Sequence, residues 1–92
     1  DMKTINFTLN IPKELTLVNL CTGLVHHASE FESNVTIQVE GSNLSAKIDL
    51  KSILGVMSLV YSNGKKVIIE ISGEDEDDAC KCISKYVERL SL

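Results

Sequence analysis

The pattern of apolar and polar residues predicts an α+β fold: a four-stranded antiparallel sheet covered on one face by three helices, in the order βαββαβα. Three observations carry that expectation. Four short segments alternate apolar and polar residues, the mark of strands buried on one side. Two longer segments change to a period near 3.6, and a short capped apolar run lies between them. Strands with a single apolar face need helices on one side only, so the sheet is antiparallel with one helical layer.

The elements follow in chain order. Ile5, Phe7, Leu9 and Ile11 alternate with Asn6, Thr8 and Asn10 as a first strand, which Pro12 ends. From Leu17 to Phe31, the residues Leu17, Leu20, Cys21, Leu24, Ala28 and Phe31 fall on one stripe of an amphipathic helix. Val35, Ile37 and Val39 give a second strand, and Gly41-Ser42-Asn43 a turn. Leu44, Ala46, Ile48 and Leu50 form a third strand, the hairpin partner of the second. Ser52 is placed as the N-cap of a short apolar segment, Ile53 to Leu59. After the turn Ser62-Asn63-Gly64, the span Lys66 to Ser72 is a fourth strand with Val67, Ile69 and Ile71 inward. Ala79, Ile83, Tyr86, Val87 and Leu90 form the inner face of a last helix.

Composition bounds the function. At 92 residues the chain, 1–92, reads as one domain, and 43% apolar with 24% charged residues excludes a disordered tail. Nine Lys and Arg against thirteen Asp and Glu, a net charge of −4, argue against direct nucleic-acid binding. The longest nearly apolar run, Ile53 to Tyr61, is far short of the ~20 residues of a membrane span. No basic segment followed by an apolar stretch opens the sequence, so no secretory signal is expected. Three cysteines, Cys21, Cys80 and Cys82, are too few for a disulfide framework and suit a reduced, cytoplasmic protein. Cys80 and Cys82 point apart on a helix, and a zinc site needs more Cys and His ligands at suitable spacing. No metal and no cofactor are expected. The acidic run Glu74-Asp75-Glu76-Asp77-Asp78, with Lys81, Lys85 and Arg89 after it, complements a helix dipole.

Lys51 to Leu59, Ser72 to Ala79 and Ala28-Ser29-Glu30-Phe31 are three stretches that resemble the HPr family, the small histidine-containing phosphocarriers of the bacterial sugar phosphotransferase system. Lys51-Ser52-Ile53-Leu54-Gly55-Val56-Met57-Ser58-Leu59 is close to the regulatory-serine segment of HPr from low-GC Gram-positive bacteria. Ser72 to Ala79 is similar to the lead-in to the family's last helix, and Ala28-Ser29-Glu30-Phe31 to the end of its first. Ser42 to Ala46 reads as a small insertion lengthening the second hairpin. The resemblance implies an HPr-like open-faced β-sandwich.

The family carries Gly-Leu/Ile-His-x-Arg-Pro-Ala at the start of the first helix, where the His accepts a phosphoryl group from enzyme I. Registering on Leu24 and Ala28-Ser29 puts Leu17 at the His position, Asn19 at the Arg and Leu20 at the Pro; a one-residue gap puts Thr16 at the His. Neither register supplies an imidazole or a guanidinium, so these are degenerate active-site positions with no catalytic residue. His26 and His27 lie more than two turns into the helix, where the amides are already bonded, and read as polar-face residues.

Ser52 is expected to cap its helix. The resemblance adds regulatory phosphorylation there by HPr kinase/phosphorylase, with Lys51 supplying a nearby cation. It also implies a docking patch of Ile53, Leu54 and Met57 for the kinase and for a catabolite control repressor. The leading expectation is a regulatory or binding module, not an enzyme, similar to the catabolite-repression paralogue of HPr. A working phosphocarrier is the alternative, and a diverged domain with an unrelated partner a third reading.

Overall fold

A computed structural model of the chain describes residues 2–13, 16–41 and 47–90. Its strands are β1 (Lys3–Thr8), β2 (Asn34–Val39), β3 (Ile48–Asp49) and β4 (Lys66–Ser72). Its helices are α1 (Leu17–Ser29), α2 (Ile53–Met57) and α3 (Glu76–Val87), with 3₁₀ turns at Ser58–Ser62 and Glu88–Leu90. The strands form one antiparallel sheet in the order β1-β4-β2-β3, and the three helices cover one face of it. The predicted architecture is the observed one.

Alternation in the sequence becomes burial in the sheet. Val67, Ile69 and Ile71 of β4 and Val35 and Ile37 of β2 are buried, while Thr36, Gln38 and Glu70 turn to the uncovered face. There Lys47 Nζ meets Glu70 Oε1 at 2.8 Å. Leu20, Cys21, Leu24 and Ala28 of α1, Val56 of α2, and Ala79, Ile83 and Val87 of α3 close the core from the helical side. Burial pushes the Cys21 thiol pKa up, in keeping with a packing role.

Boundaries differ from expectation in several places, among them α2, which gives way to a 3₁₀ turn after Met57, and α3, which does so after Val87. The first strand stops at Thr8 instead of running to Ile11, because β4 begins at Lys66 and offers no further ladder. Leu9 instead exchanges backbone bonds with Lys65 O and Gly64 N, and Ile11 N donates to Asn63 Oδ1 at 2.9 Å. The first helix ends at Ser29, leaving Phe31 half-buried beyond it. β3 pairs with β2 as a hairpin partner through Thr36–Asp49 and Ile37–Ile48; the expected strand residues Leu44 and Ala46, and the insertion over 42–46, lie outside the described residues.

The acidic run has more work than a dipole complement. Glu76, Asp77 and Asp78 do occupy the first turn of α3. Asp75, immediately before it, accepts hydrogen bonds from the amides of Glu32 (2.8 Å) and Ser33 (2.9 Å) and from the Ser33 hydroxyl. Those donors, the Ser33 hydroxyl first and then the Glu32 amide, hold the Asp75 carboxyl below the ordinary 3.8. The carboxylate thereby ties the loop after α1 to the start of α3. Asp77 also pairs with Lys3 at 3.2 Å, which raises the lysine's pKa.

Candidate functional site

The start of α1 is built by Thr16. Its backbone is extended (φ −71°, ψ 154°) and its Oγ1 accepts from Asn19 N at 3.1 Å, the geometry of an N-cap. Of the two candidate positions for the family's histidine, Thr16 is the one at the cap; Leu17 is the first helical residue, and its side chain lies outside the described residues. Asn19 is exposed, while Leu20 is in the core. What converges on the first amides of α1 is a neutral hydroxyl that already holds one of them.

Ser52 caps α2 as expected. Its backbone is extended, and its Oγ accepts from Gly55 N at 3.4 Å while the side chain stays open to solvent. The five-residue helix divides its apolar side chains between two jobs. Val56 is fully buried and Leu59, in the turn beyond, nearly so; Leu54 is 80% exposed, Ile53 42% and Met57 39%. The exposed three are the ones expected to dock partners, and the site they form is an apolar surface around an accessible hydroxyl.

Lys51 departs from expectation. Its ammonium donates to Phe31 O at 2.7 Å, so the charge is committed to the loop after α1 and not to Ser52. That loop is a hub: Lys51 reaches it from before α2, and Asp75 from before α3.

The two histidines separate. His26 is exposed, with a side chain 71% accessible, as its position opposite the apolar stripe requires. His27 is no ordinary polar-face residue. Its ring packs on Tyr86 of α3 with centroids 4.7 Å apart, and Nδ1 lies 3.6 Å from Cys82 Sγ and 3.5 Å from Glu30 Oε1. Gly23 permits this packing, since a Cβ there would overlap the Tyr86 hydroxyl. Burial first, then the Glu30 charge, raise the Cys82 thiol pKa, while Lys85 opposes them. His26→Ala should therefore change stability by less than about 0.5 kcal/mol, and His27→Ala should cost about 1 kcal/mol. Urea unfolding of the two variants checks the contrast, and equal effects would refute the packing role.

The grouping of His27 and Glu30 with Cys82, 55 residues from His27, was invisible to a reading of local spacing. Only the packing of α1 on α3 creates it.

Comparison with known proteins gives the same frame. A family model described as the PTS HPr component phosphorylation site matches residues 6–89. The chain is 37% identical over 79 residues to the HPr-like protein Crh of Bacillus subtilis (strain 168), covering 77% of this chain and 88% of that protein. The crystal structure of HPr-C-His from Thermoanaerobacter tengcongensis matches with a TM-score of 0.75 at 28% identity, over 94% of this chain and 91% of that one. The solution structure of Crh, the Bacillus subtilis catabolite repression HPr, matches at 0.62 and 30% identity over 95% of each chain. No helix among the described residues is long and apolar enough to cross a membrane. With a family model spanning most of its length, and more than a third of aligned residues shared with an HPr-like relative, the chain belongs to the HPr family.

Proposed function

We propose that this HPr-family chain, a single domain over 1–92, is a non-catalytic regulatory or binding module related to the sugar phosphotransferase system. Ser52 is its phosphorylation site, and Ile53, Leu54 and Met57 are its docking surface. The observation that carries this reading is the Thr16 hydroxyl at the cap of α1. A phosphohistidine carrier needs a ring nitrogen there as nucleophile, with free amides or a cation to steady the charge. Both histidines of the chain lie far from that cap, at positions 26 and 27.

Ser52 has what a regulatory hydroxyl needs. It is accessible, it stands at the positive end of a helix, and phosphate there is tolerated without refolding. HPr kinase/phosphorylase and a catabolite control repressor are the partners that this surface suits, in the cytoplasm and without direct contact to nucleic acid or membrane.

Two incubations test the reading. With phosphoenolpyruvate and enzyme I, the chain should acquire no acid-labile phosphate; with HPr kinase and ATP, it should acquire acid-stable phosphate that Ser52→Ala lacks. Acid-labile label would make it a working phosphocarrier and overturn the proposal. Thr16→His or Leu17→His, made singly, should accept only traces from enzyme I, because neither restores the Arg or the Pro-initiated helix start. Efficient transfer by either variant would show that the anion cradle persists.

A further inference from the structure

We infer that His27, Glu30 and Cys82 form a binding site for a zinc-class divalent cation, distinct from the Ser52 surface. Three unlike donors, an imidazole nitrogen, a carboxylate oxygen and a thiol sulfur, all lie within 4.8 Å of one another. Two of the three donor–donor distances, those from the His27 nitrogen, fit a tetrahedral ion, and the Cys82–Glu30 pair lies within 4.8 Å. Zinc bonds of ~2.3 Å to sulfur and ~2.0–2.1 Å to nitrogen and oxygen set S···N about 3.6 Å and N···O about 3.3 Å apart. The structure has Cys82 Sγ 3.6 Å and Glu30 Oε1 3.5 Å from His27 Nδ1.

Hydrogen bonding among the three is a poorer account of the geometry. Both Cys82 and Glu30 face the same ring nitrogen, whose one lone pair or one proton is well aligned with only one of them at a time; Glu30 Oε1 also lies 3.8 Å from His26 Nε2. The N···O distance also exceeds the 2.7–3.2 Å of an ordinary hydrogen bond. A Cys-His-carboxylate nucleophile fails on the same point, since there the carboxylate holds the second ring nitrogen. One cation at the meeting point satisfies all three donors.

The surroundings suit an ion of this type. The His27 ring is held by Tyr86; His27 lies in the last turn of α1 and Glu30, three residues on, is its C-cap. His27 and Cys82 line a surface groove, which gives an ion an approach path and leaves the fourth position to water. On binding, the Cys82 thiol gives up its proton to solvent, and thiolate plus carboxylate balance the two charges of the ion. Lys81, Lys85 and Arg89 also line the groove and add no ligand, and Asp78 adds a carboxylate to its wall. A mixed nitrogen, sulfur and oxygen set favours zinc or cobalt over magnesium and calcium, which take oxygen alone.

Titration of the purified full chain with Co²⁺, followed by competition between Zn²⁺ and a chromophoric chelator, tests the site. The expected result is one equivalent bound, with tetrahedral d–d bands and a thiolate-to-cobalt charge-transfer band, unmoved by excess Mg²⁺. Cys82→Ser should abolish the charge-transfer band and weaken Zn²⁺ by more than the ~10-fold that disturbing an outer partner costs. Glu30→Gln alters an exposed side chain that the fold does not need, and should also weaken binding. Cys80→Ser, which removes a thiol outside the cluster, should bind as wild type does. A cobalt spectrum without the charge-transfer band, or equal affinity in wild type and Cys82→Ser, would overturn the proposal.

Discussion

Gly73→Ala is expected to destabilise the fold by about 1–3 kcal/mol, the cost of forcing atoms into a packed contact. Gly73 closes β4 just before α3, with φ +156°, and an added Cβ would stand 2.6 Å from the Ser33 Cα and its hydroxyl oxygen. A backbone atom cannot swing aside as the tip of a side chain can. Ser33 is itself fixed: it is buried, and both its amide and its hydroxyl donate to Asp75. The substitution must therefore strain the β4 end, the loop after α1, or both. At roughly 4–8 °C per kcal/mol for a domain of this size, thermal unfolding reads the effect directly. A variant as stable as wild type would show that this junction gives more easily than its contacts indicate.

The same junction sets an acid limit. The Asp75 carboxyl is held below its ordinary pKa by the Ser33 hydroxyl and the Glu32 amide, so its contribution is present above the unfolded-state value. It is lost as pH falls through the lower folded-state value, when the proton returns and the donors lose a charged acceptor. Asp75→Asn should flatten the loss of stability below about pH 4. An acid limb as steep in the variant as in wild type would remove Asp75 from the account.

What the sequence could and could not reveal follows from the range of each interaction. Strand and helix faces were legible because burial repeats with the backbone's own period: Val67, Ile69 and Ile71, or Leu20, Leu24 and Ala28, announce themselves within one element. The Ser52 cap was legible for the same reason, since its partner is Gly55, three residues on. Asp75 was hidden inside an acidic run whose members look alike; it is singled out by donors more than forty residues back. Lys51 sits beside Ser52 in sequence, yet its charge goes to Phe31 O. His27 was assigned to a polar edge because its contacts are to α3, and no periodicity within α1 records which helix lies alongside. The start of α1 is the opposite case: Thr16 caps it locally, through the Asn19 amide three residues on.

Leu54→Asp should reduce labelling of Ser52 by HPr kinase roughly tenfold or more while leaving the fold intact. Leu54 is 80% exposed, so its loss removes little from the core, and surface changes of this kind stay within about 0.5 kcal/mol. A docking anchor is different: replacing an apolar side chain that fills a partner's pocket costs about 2 kcal/mol or more, and a buried carboxylate adds its own desolvation. Each 1.4 kcal/mol is about tenfold in binding. Val56→Asp offers no such test, because Val56 is 0% exposed and its loss would unfold the helix's support. Ser52 itself separates cap from switch. Ser52→Ala should cost roughly 0.5–2 kcal/mol and abolish labelling, whereas Ser52→Asp keeps most of the stability, since aspartate also caps and favours the positive helix end. Three results would each remove one layer of this account. An alanine variant as stable as wild type would cancel the cap. Undiminished labelling of Leu54→Asp would move docking off this surface. Wild-type chain ignored by an active kinase would leave Ser52 as a helix cap alone, and the apolar patch would then need another partner.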